Sequence, residues 1–208
     1  MPLIKNAVPS VIQQSIPAIS TTFLTALVSG YGISAIAGYG VTGKLETILF
    51  YPAMALNMVL TSIVGQCIGG KRIDRAKDYL KLSLKYGSIT LIILSLIIIV
   101  FSKQLAGLFV ASENVAVIVN QYFTIVSIGY VLYTITSCCL GTLNGLGKPT
   151  RSMILMIFYY IVIRIPLAYI FANLGSGLVG IWLAILISHI VACIASIICG
   201  IGSMKIKE

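Results

Sequence analysis

The sequence predicts an all-α, polytopic transmembrane bundle of six helices, and three observations predict it. Hydrophobic residues fill 59% of the 208 positions and charged residues only 9%, where a soluble domain carries roughly 25% charged residues. Six apolar stretches approach the roughly 20 residues a helix needs to cross the hydrocarbon core. Lysine and arginine fall in alternate connecting segments. A soluble fold of this length hides only about 70% of the surface its unfolded chain exposes, so lipid is the intended solvent.

The spans read, in order, 8–29, 46–68, 82–101, 116–140, 152–172 and 178–200. The first holds Pro9 and Pro17 and is the most polar. Gly30, Gly32, Gly38, Gly40 and Gly43 after it read as a loop. The second closes at Gly69-Gly70, where a basic segment covering about 70–85 begins. Within it Ile73, Ala76, Leu80 and Leu84 recur at helical spacing between charges. That pattern fits an amphipathic helix lying on anionic headgroups and equally the solvated start of the third span. The third span is the one uniformly oily stretch, nearly unbroken from Ile89 to Phe101. Gly141, Gly145, Gly147 and Pro149 read as breakers after the fourth. The fifth contains Arg164 and Pro166, and the sixth His189.

Charge sets the expected orientation. With the N-terminus inside, eleven positive side chains lie on the cytoplasmic side: Lys5, Lys71, Arg72, Arg75, Lys77, Lys81, Lys85, Lys148, Arg151, Lys205 and Lys207. Only Lys44 and Lys103 lie opposite. The positive-inside rule then places both termini in the cytoplasm of a multi-pass protein of the plasma (inner) membrane, with membrane lipid as a partner. The net charge of +9 is no nucleic-acid footprint, because the basic residues sit in short segments between apolar runs and form no contiguous surface. Residues 1–10, with Pro2, Lys5 and Pro9, do not read as a cleavable signal. Cys67, Cys138, Cys139, Cys193 and Cys199 fall in or beside apolar runs and read as packing residues. Nucleophile-elbow, zinc-protease and phosphate-loop motifs are absent. Five acids in all can hardly build an acid–base pair or a metal cage, so neither an enzyme nor a metal or cofactor site is expected.

Polar side chains in lipid are costly and point to protein contacts or a water-filled cavity. Ser10, Gln13, Gln14, Pro17, Ser20, Thr21 and Thr25 gather on one face of the first span, with Ile12, Ile19 and Phe23 turned away. Such a face serves a polar guest or glues helices together. The second span adds Asn57, Thr61, Ser62 and Gln66; the fourth adds Tyr130, Tyr133, Thr134 and Ser137. Aromatic faces attract cations by roughly 0.5–2 kcal/mol, which makes Tyr130 and Tyr133 cavity candidates, whereas Tyr122 reads as an interfacial anchor. Arg164, near the middle of the fifth span, costs at least about 2.5–3.5 kcal/mol there. It must face an anion, water, or carbonyls freed at Pro166. Glu46 is the one acid near a span and is expected at the outer end of the second. His189 reads as a packing residue.

These pieces resemble the multidrug and toxic compound extrusion (MATE) family of secondary transporters. Ala7-Val8-Pro9 and then Ile36-Ala37-Gly38-Tyr39-Gly40-Val41 look like the opening of that family's second, C-terminal lobe. Tyr51-Pro52-Ala53-Met54-Ala55-Leu56, Val64 to Lys71 and Asp74-Arg75-Ala76 resemble its next helix and basic loop. Gly141 to Pro149 resembles its glycine turn, and Arg164 to Tyr169 with Leu178 to Ala184 completes the order. The resemblance covers nearly the whole chain and implies one six-helix lobe, 1–208, of a two-lobe transporter. Some members carry carboxylates in this lobe where this sequence has Pro17 and Tyr133. No acid is therefore expected inside the membrane, and the chain is not expected to couple transport to an ion by itself.

The function this implies is half of a cation-coupled multidrug efflux antiporter. It would export lipophilic or cationic drug-like compounds on an H+ or Na+ gradient, and would be incomplete without an N-terminal lobe or a second copy. Its substrate cavity is expected at Gln13, Gln14, Asn57, Tyr130, Thr134, Ser137 and Arg164. Two alternatives stand beside it. One is a lobe of a flippase or exporter of lipid-linked saccharides, whose cavity arginines would grip phosphates and for which only Arg164 is on offer. The other is a non-transporting membrane protein that modulates a full-length paralogue.

Overall fold

A computed structural model describes residues 2–110 and 112–205, and among these it shows helices and no strand. Five spans are single helices: α1 (Pro2–Ser29), α2 (Ile33–Gly69), α3 (Ile73–Phe109), α4 (Glu113–Gly145) and α7 (Gly177–Lys205). The fifth span is composite. It runs through α5 (Pro149–Ile157), a π-helical segment (Phe158–Arg164) and α6 (Ile165–Asn173). All six are long and apolar enough to cross a membrane, so the protein is the six-helix transmembrane bundle that composition predicts. Links 30–32, 70–72, 146–148 and 174–176 have three residues each, which makes successive helices antiparallel neighbours.

Helix α2 begins thirteen residues before the expected second span. Gly38, Gly40 and Gly43, which read as part of a loop, lie inside it, and Gly30 and Gly32 form the link before it. Ala35, Gly38, Tyr39, Thr42, Leu45 and Leu49 are buried at helical spacing, and packing of that face outweighs the roughly 1 kcal/mol each glycine costs a helix. Gly38 is used for close approach, since a Cβ there would stand 2.8 Å from Ile118 of α4.

The second correction is at the other end of α4, which runs through the expected breakers to Gly145. A Cβ on Gly141 would meet the Asn57 carbonyl at 2.5 Å, and one on Gly145 the Thr61 carbonyl at 2.7 Å. The two glycines form a small-xxx-small seam that lets α4 and α2 touch backbone to backbone. The true turn residue is Gly147, at φ +73°.

The basic segment also resolves. It is the start of α3, with Ala76 and Leu80 buried and Leu84 partly buried against Leu60, Val64 and Leu146. Its apolar spacing is the inner face of a span, and its charges point outward.

Helix α4 packs against α2, α3 and α7 and is the axis of the bundle. It and α7 bury 44% and 50% of their most apolar windows, where the other spans bury 22–28%. Around it Tyr39 stacks on Trp182 at 5.6 Å, and Tyr122 meets Trp182 edge to face at 4.7 Å. In the fifth span Pro166 lacks the N–H that would bond Val162. The chain absorbs this one turn earlier by widening into the π segment, which ends on Arg164.

Candidate functional site

The polar residues divide into two regions. A cavity of about 220 Å³ opens between α1, α2, α4 and the fifth span. Gln13, Gln14 and Pro17 come to it from α1, and Phe50, Met54, Asn57 and Met58 from α2. Tyr133, Ser137 and Leu140 of α4 form its floor, with Met156 and Tyr160 closing the side. The helix geometry explains the gathering. Gln13 and Pro17 are one turn apart on α1, as are Phe50, Met54 and Met58 on α2, and Tyr133 and Ser137 on α4. Asn57 Nδ2 donates to the Ser137 carbonyl at 2.8 Å, which ties the cavity wall to its floor. Gln13 is buried, yet its Oε1 has no hydrogen-bond partner among the described residues.

The structure thus brings Gln13, Gln14, Asn57 and Ser137 together and separates the other three expected cavity residues from them. Tyr130 is fully buried, and its hydroxyl donates to Glu46 at 2.8 Å. Thr134, also fully buried, turns its hydroxyl back on the Tyr130 carbonyl, one turn earlier on the same helix. Arg164 is buried and does not line the cavity; it lies behind the wall residue Tyr160. Tyr130 lies two turns before Ser137 on α4, about 10 Å along the helix, where it meets Glu46 of α2.

Those three belong to a second region, a buried network farther from the basic loop. Glu46 Oε1 accepts from Tyr122 and from Tyr130. Arg164 Nε donates to Ser188 Oγ at 2.8 Å, and a terminal guanidinium nitrogen lies 3.3 Å from His189 Nε2. His189 Nδ1 is 3.0 Å from the Ile185 carbonyl. A carbonyl only accepts, so Nδ1 carries the proton and Nε2 accepts from the guanidinium. The guanidinium also lies over the Tyr160 ring, 4.4 Å from its centre, and its charge acts on Glu46. Arg164 therefore spends itself on α7, and not on carbonyls freed at Pro166. His189 is its acceptor, more than a packing residue.

From sequence Glu46 and Tyr122 belong at the membrane edge, and in the structure neither does. Glu46 lies thirteen residues inside α2, about 20 Å from the start of the helix. Tyr122 is 1% exposed. An acid therefore stands well inside a helix long and apolar enough to cross the membrane. The signal was present in the period Ala35, Gly38, Thr42, Leu45 and Leu49, which extends the second helix past Glu46.

A family model, MatE, matches residues 9–170 of the chain. The chain belongs to the MatE family. Among curated relatives it is 28% identical over 155 residues to the "FAD transporter" of Shewanella oneidensis, covering 73% of this chain and 33% of that protein. It is 26% identical over 171 residues to rabbit (Oryctolagus cuniculus) "Multidrug and toxin extrusion protein 1", covering 78% and 28%. The fold superposes on the crystal structure of a MATE transporter in complex with MaL6 with a TM-score of 0.90, at 23% identity, over 96% of this chain and 46% of that one. It matches the Vibrio cholerae MATE transporter VcmN in the bent form at 0.88 and 22%. The chain thus spans about a third of the curated relatives it matches and just under half of the solved transporters. What it presents is one six-helix MatE lobe.

Proposed function

We propose that this lobe supplies half of the substrate path of a cation-coupled multidrug efflux antiporter in the plasma membrane. The observation that carries the reading is the makeup of the cavity on α1, α2 and α4. Its walls are aromatic and thioether groups, Phe50, Tyr133, Tyr160, Met54, Met58 and Met156, with the amides of Gln13, Gln14 and Asn57 among them and no charged side chain. Aromatic faces attract organic cations, methionines adapt to irregular shapes, and neutral amides orient a guest without fixing its charge. Such a surface suits varied lipophilic or cationic compounds. A phosphate-gripping site would need arginine, and Arg164 is engaged elsewhere, so the saccharide-lipid exporter is the weaker reading.

Alternating access in repeat transporters is one bundle rocking against another around a site at their interface. The lobe therefore needs a second lobe or a second copy. The test is ethidium efflux from cells lacking their own pumps, with the 208 residues alone and fused behind the N-terminal half of a MatE relative. The fusion is expected to export dye and to lose export with a protonophore; the chain alone is not. Met54→Trp, which fills the cavity, is expected to abolish export while insertion persists. An inserted fusion that moves no dye, or one that Met54→Trp leaves unchanged, overturns the reading. In the proposed orientation reporters at 71–77 or after Lys207 read cytoplasmic, and reporters in links 30–32 or 174–176 read external. A reversed pattern overturns the orientation.

A further inference from the structure

We propose that Glu46 is the proton-binding group of this lobe, reached from a cavity between α1 and α2 and held, when charged, by the two tyrosines Tyr122 and Tyr130 of α4. An ionisable residue inside a membrane span is costly unless it works or is neutralised, and here the surroundings point to work. A second cavity, of about 310 Å³, lies between α1 and α2, with Glu46 in its wall beside Thr21, Thr25, Tyr39, Lys44 and Thr47. The carboxylate thus sits at a boundary. On one side are hydroxyls around an open space, and on the other two buried phenols whose hydrogens both go to Oε1.

The groups facing Glu46 favour a proton over a metal ion. From α4 it accepts from the O–H groups of Tyr122 and Tyr130, which point hydrogens and not lone pairs at the carboxylate. From its own helix come Tyr39 and Lys44 at the cavity, and from α1 only the hydroxyls of Thr21 and Thr25. The fifth span contributes the charge of Arg164, whose neighbours are His189 of α7 and Tyr160. Helix α3 adds the apolar side chains Leu91, Ile98 and Ala106 to the core cluster that holds Tyr122 and Tyr130. A sodium ion takes several oxygen lone pairs in place of its water, whereas a proton needs one oxygen and an entrance.

Protonation has a defined consequence. The carboxyl O–H forms on an oxygen that had been an anion. Charge-assisted hydrogen bonds are roughly twice as strong as neutral ones, so the two phenol bonds that fasten α2 to α4 weaken. At the same time Arg164 loses the opposite charge it acts upon. One proton thereby loosens a helix seam and changes the net charge of the bundle.

The chain carries its own reporter. Trp182 is the single tryptophan, and it packs on both Tyr122 and Tyr39, one a donor to Glu46 and the other its cavity neighbour. The 208-residue chain in lipid nanodiscs is titrated from about pH 4 to about pH 9, a range that covers carboxylates and imidazoles in protein surroundings. Trp182 emission and the infrared band of protonated carboxyl groups are followed together. Expected is a one-proton emission transition and a matching carboxyl band, both lost in Glu46→Gln and both kept in His189→Gln. Glu46→Gln retains an oxygen that can accept from the tyrosines, and circular dichroism checks its fold. The proposal is overturned by the absence of both signals in the wild type, by their persistence in Glu46→Gln, or by their loss in His189→Gln. A transition driven by sodium chloride at fixed pH and not by protons overturns it in favour of a metal-cation site. The proton site draws its purpose from the exporter reading, but its measurement needs no transport, so either can fail alone.

Discussion

The cavity on α1, α2 and α4 and the network around Glu46 and Arg164 lie in one bundle and use their polar groups in opposite ways. In the network the groups satisfy one another: two phenols serve Glu46, and Ser188 and His189 serve Arg164. In the cavity the capacity is left over. Gln13 Oε1 has no partner among the described residues and Gln14 is exposed, while Asn57 is committed to the Ser137 carbonyl and Tyr133 to the Ser137 side chain. The difference teaches that a polar residue in a span is uninformative until its face is known. Turned into the bundle it builds a scaffold; turned to an open wall it keeps hydrogen-bonding capacity for a guest.

The largest effect is expected in the network. Arg164→Leu removes hydrogen bonds from a charged donor, each worth about 1.5–3 kcal/mol, and leaves Glu46 without the opposing charge. A loss of about 3 kcal/mol lowers the apparent Tm by roughly 6–12 °C for a chain of this size. Thermal melting in detergent, followed by size-exclusion chromatography, measures it. A melting point equal to wild type would break the comparison, because Arg164 would then be no part of the scaffold.

Next comes the seam that carries both regions. Gly141→Ala sets a methyl against the Asn57 backbone at 2.5 Å and forces α2 off α4, at about 1–3 kcal/mol. Gly65→Ala is its control: the nearest atom there is 3.7 Å away, and alanine favours a helix over glycine by roughly 0.5–1 kcal/mol. The two variants are expected to move the melting point in opposite directions. Equal losses would mean that helix propensity, and not close approach, sets the value of these glycines.

Much of the fold was legible because its physics is local to each segment. Apolar length fixes six spans, and the MatE likeness follows from pieces in order. What the sequence hid depends on partners. Glycines at 38, 141 and 145 read as breakers because propensity speaks for a lone helix, whereas contact with a neighbouring backbone decides their use. Tyr130, Thr134 and Arg164 read as cavity residues because a polar residue in a span does not say which partner will claim it. Gln13, Gln14, Asn57 and Ser137 were placed together because their faces are on helices that border an opening. His189 was underrated since its partner comes from another span, 25 residues away.

Asn57 belongs to both regions and sharpens the line between them. Its amide lines the cavity and also bonds α4, so Asn57→Leu is expected to cost about 0.6–1.7 kcal/mol, the range for interhelical hydrogen bonds in lipid. It is also expected to weaken ethidium binding to the two-lobe fusion. A loss of binding with no loss of stability would move Asn57 wholly to the cavity side; the reverse would move it to the scaffold.

The smallest effect is the most discriminating. Gln13→Met keeps the length and flexibility of the side chain and deletes its amide, including an oxygen that is buried without a partner. Leaving such an atom unpaired costs about 1–3 kcal/mol, while replacing it with an apolar group of like shape can be neutral or stabilising. Stability is therefore expected to stay within about 0.5 kcal/mol of wild type or to rise slightly, against the fall expected for Arg164→Leu. Methionine already lines the same cavity at positions 54, 58 and 156, so the substitution adds no new kind of surface. Dye export by the fusion is expected to change, because one of the few polar groups that orient a guest is gone. The paired measurement is a melting curve and an efflux rate on the same preparation. If Gln13→Met melts as early as Arg164→Leu, Gln13 holds the bundle together, and the cavity is a fault in packing with no claim to be a binding site.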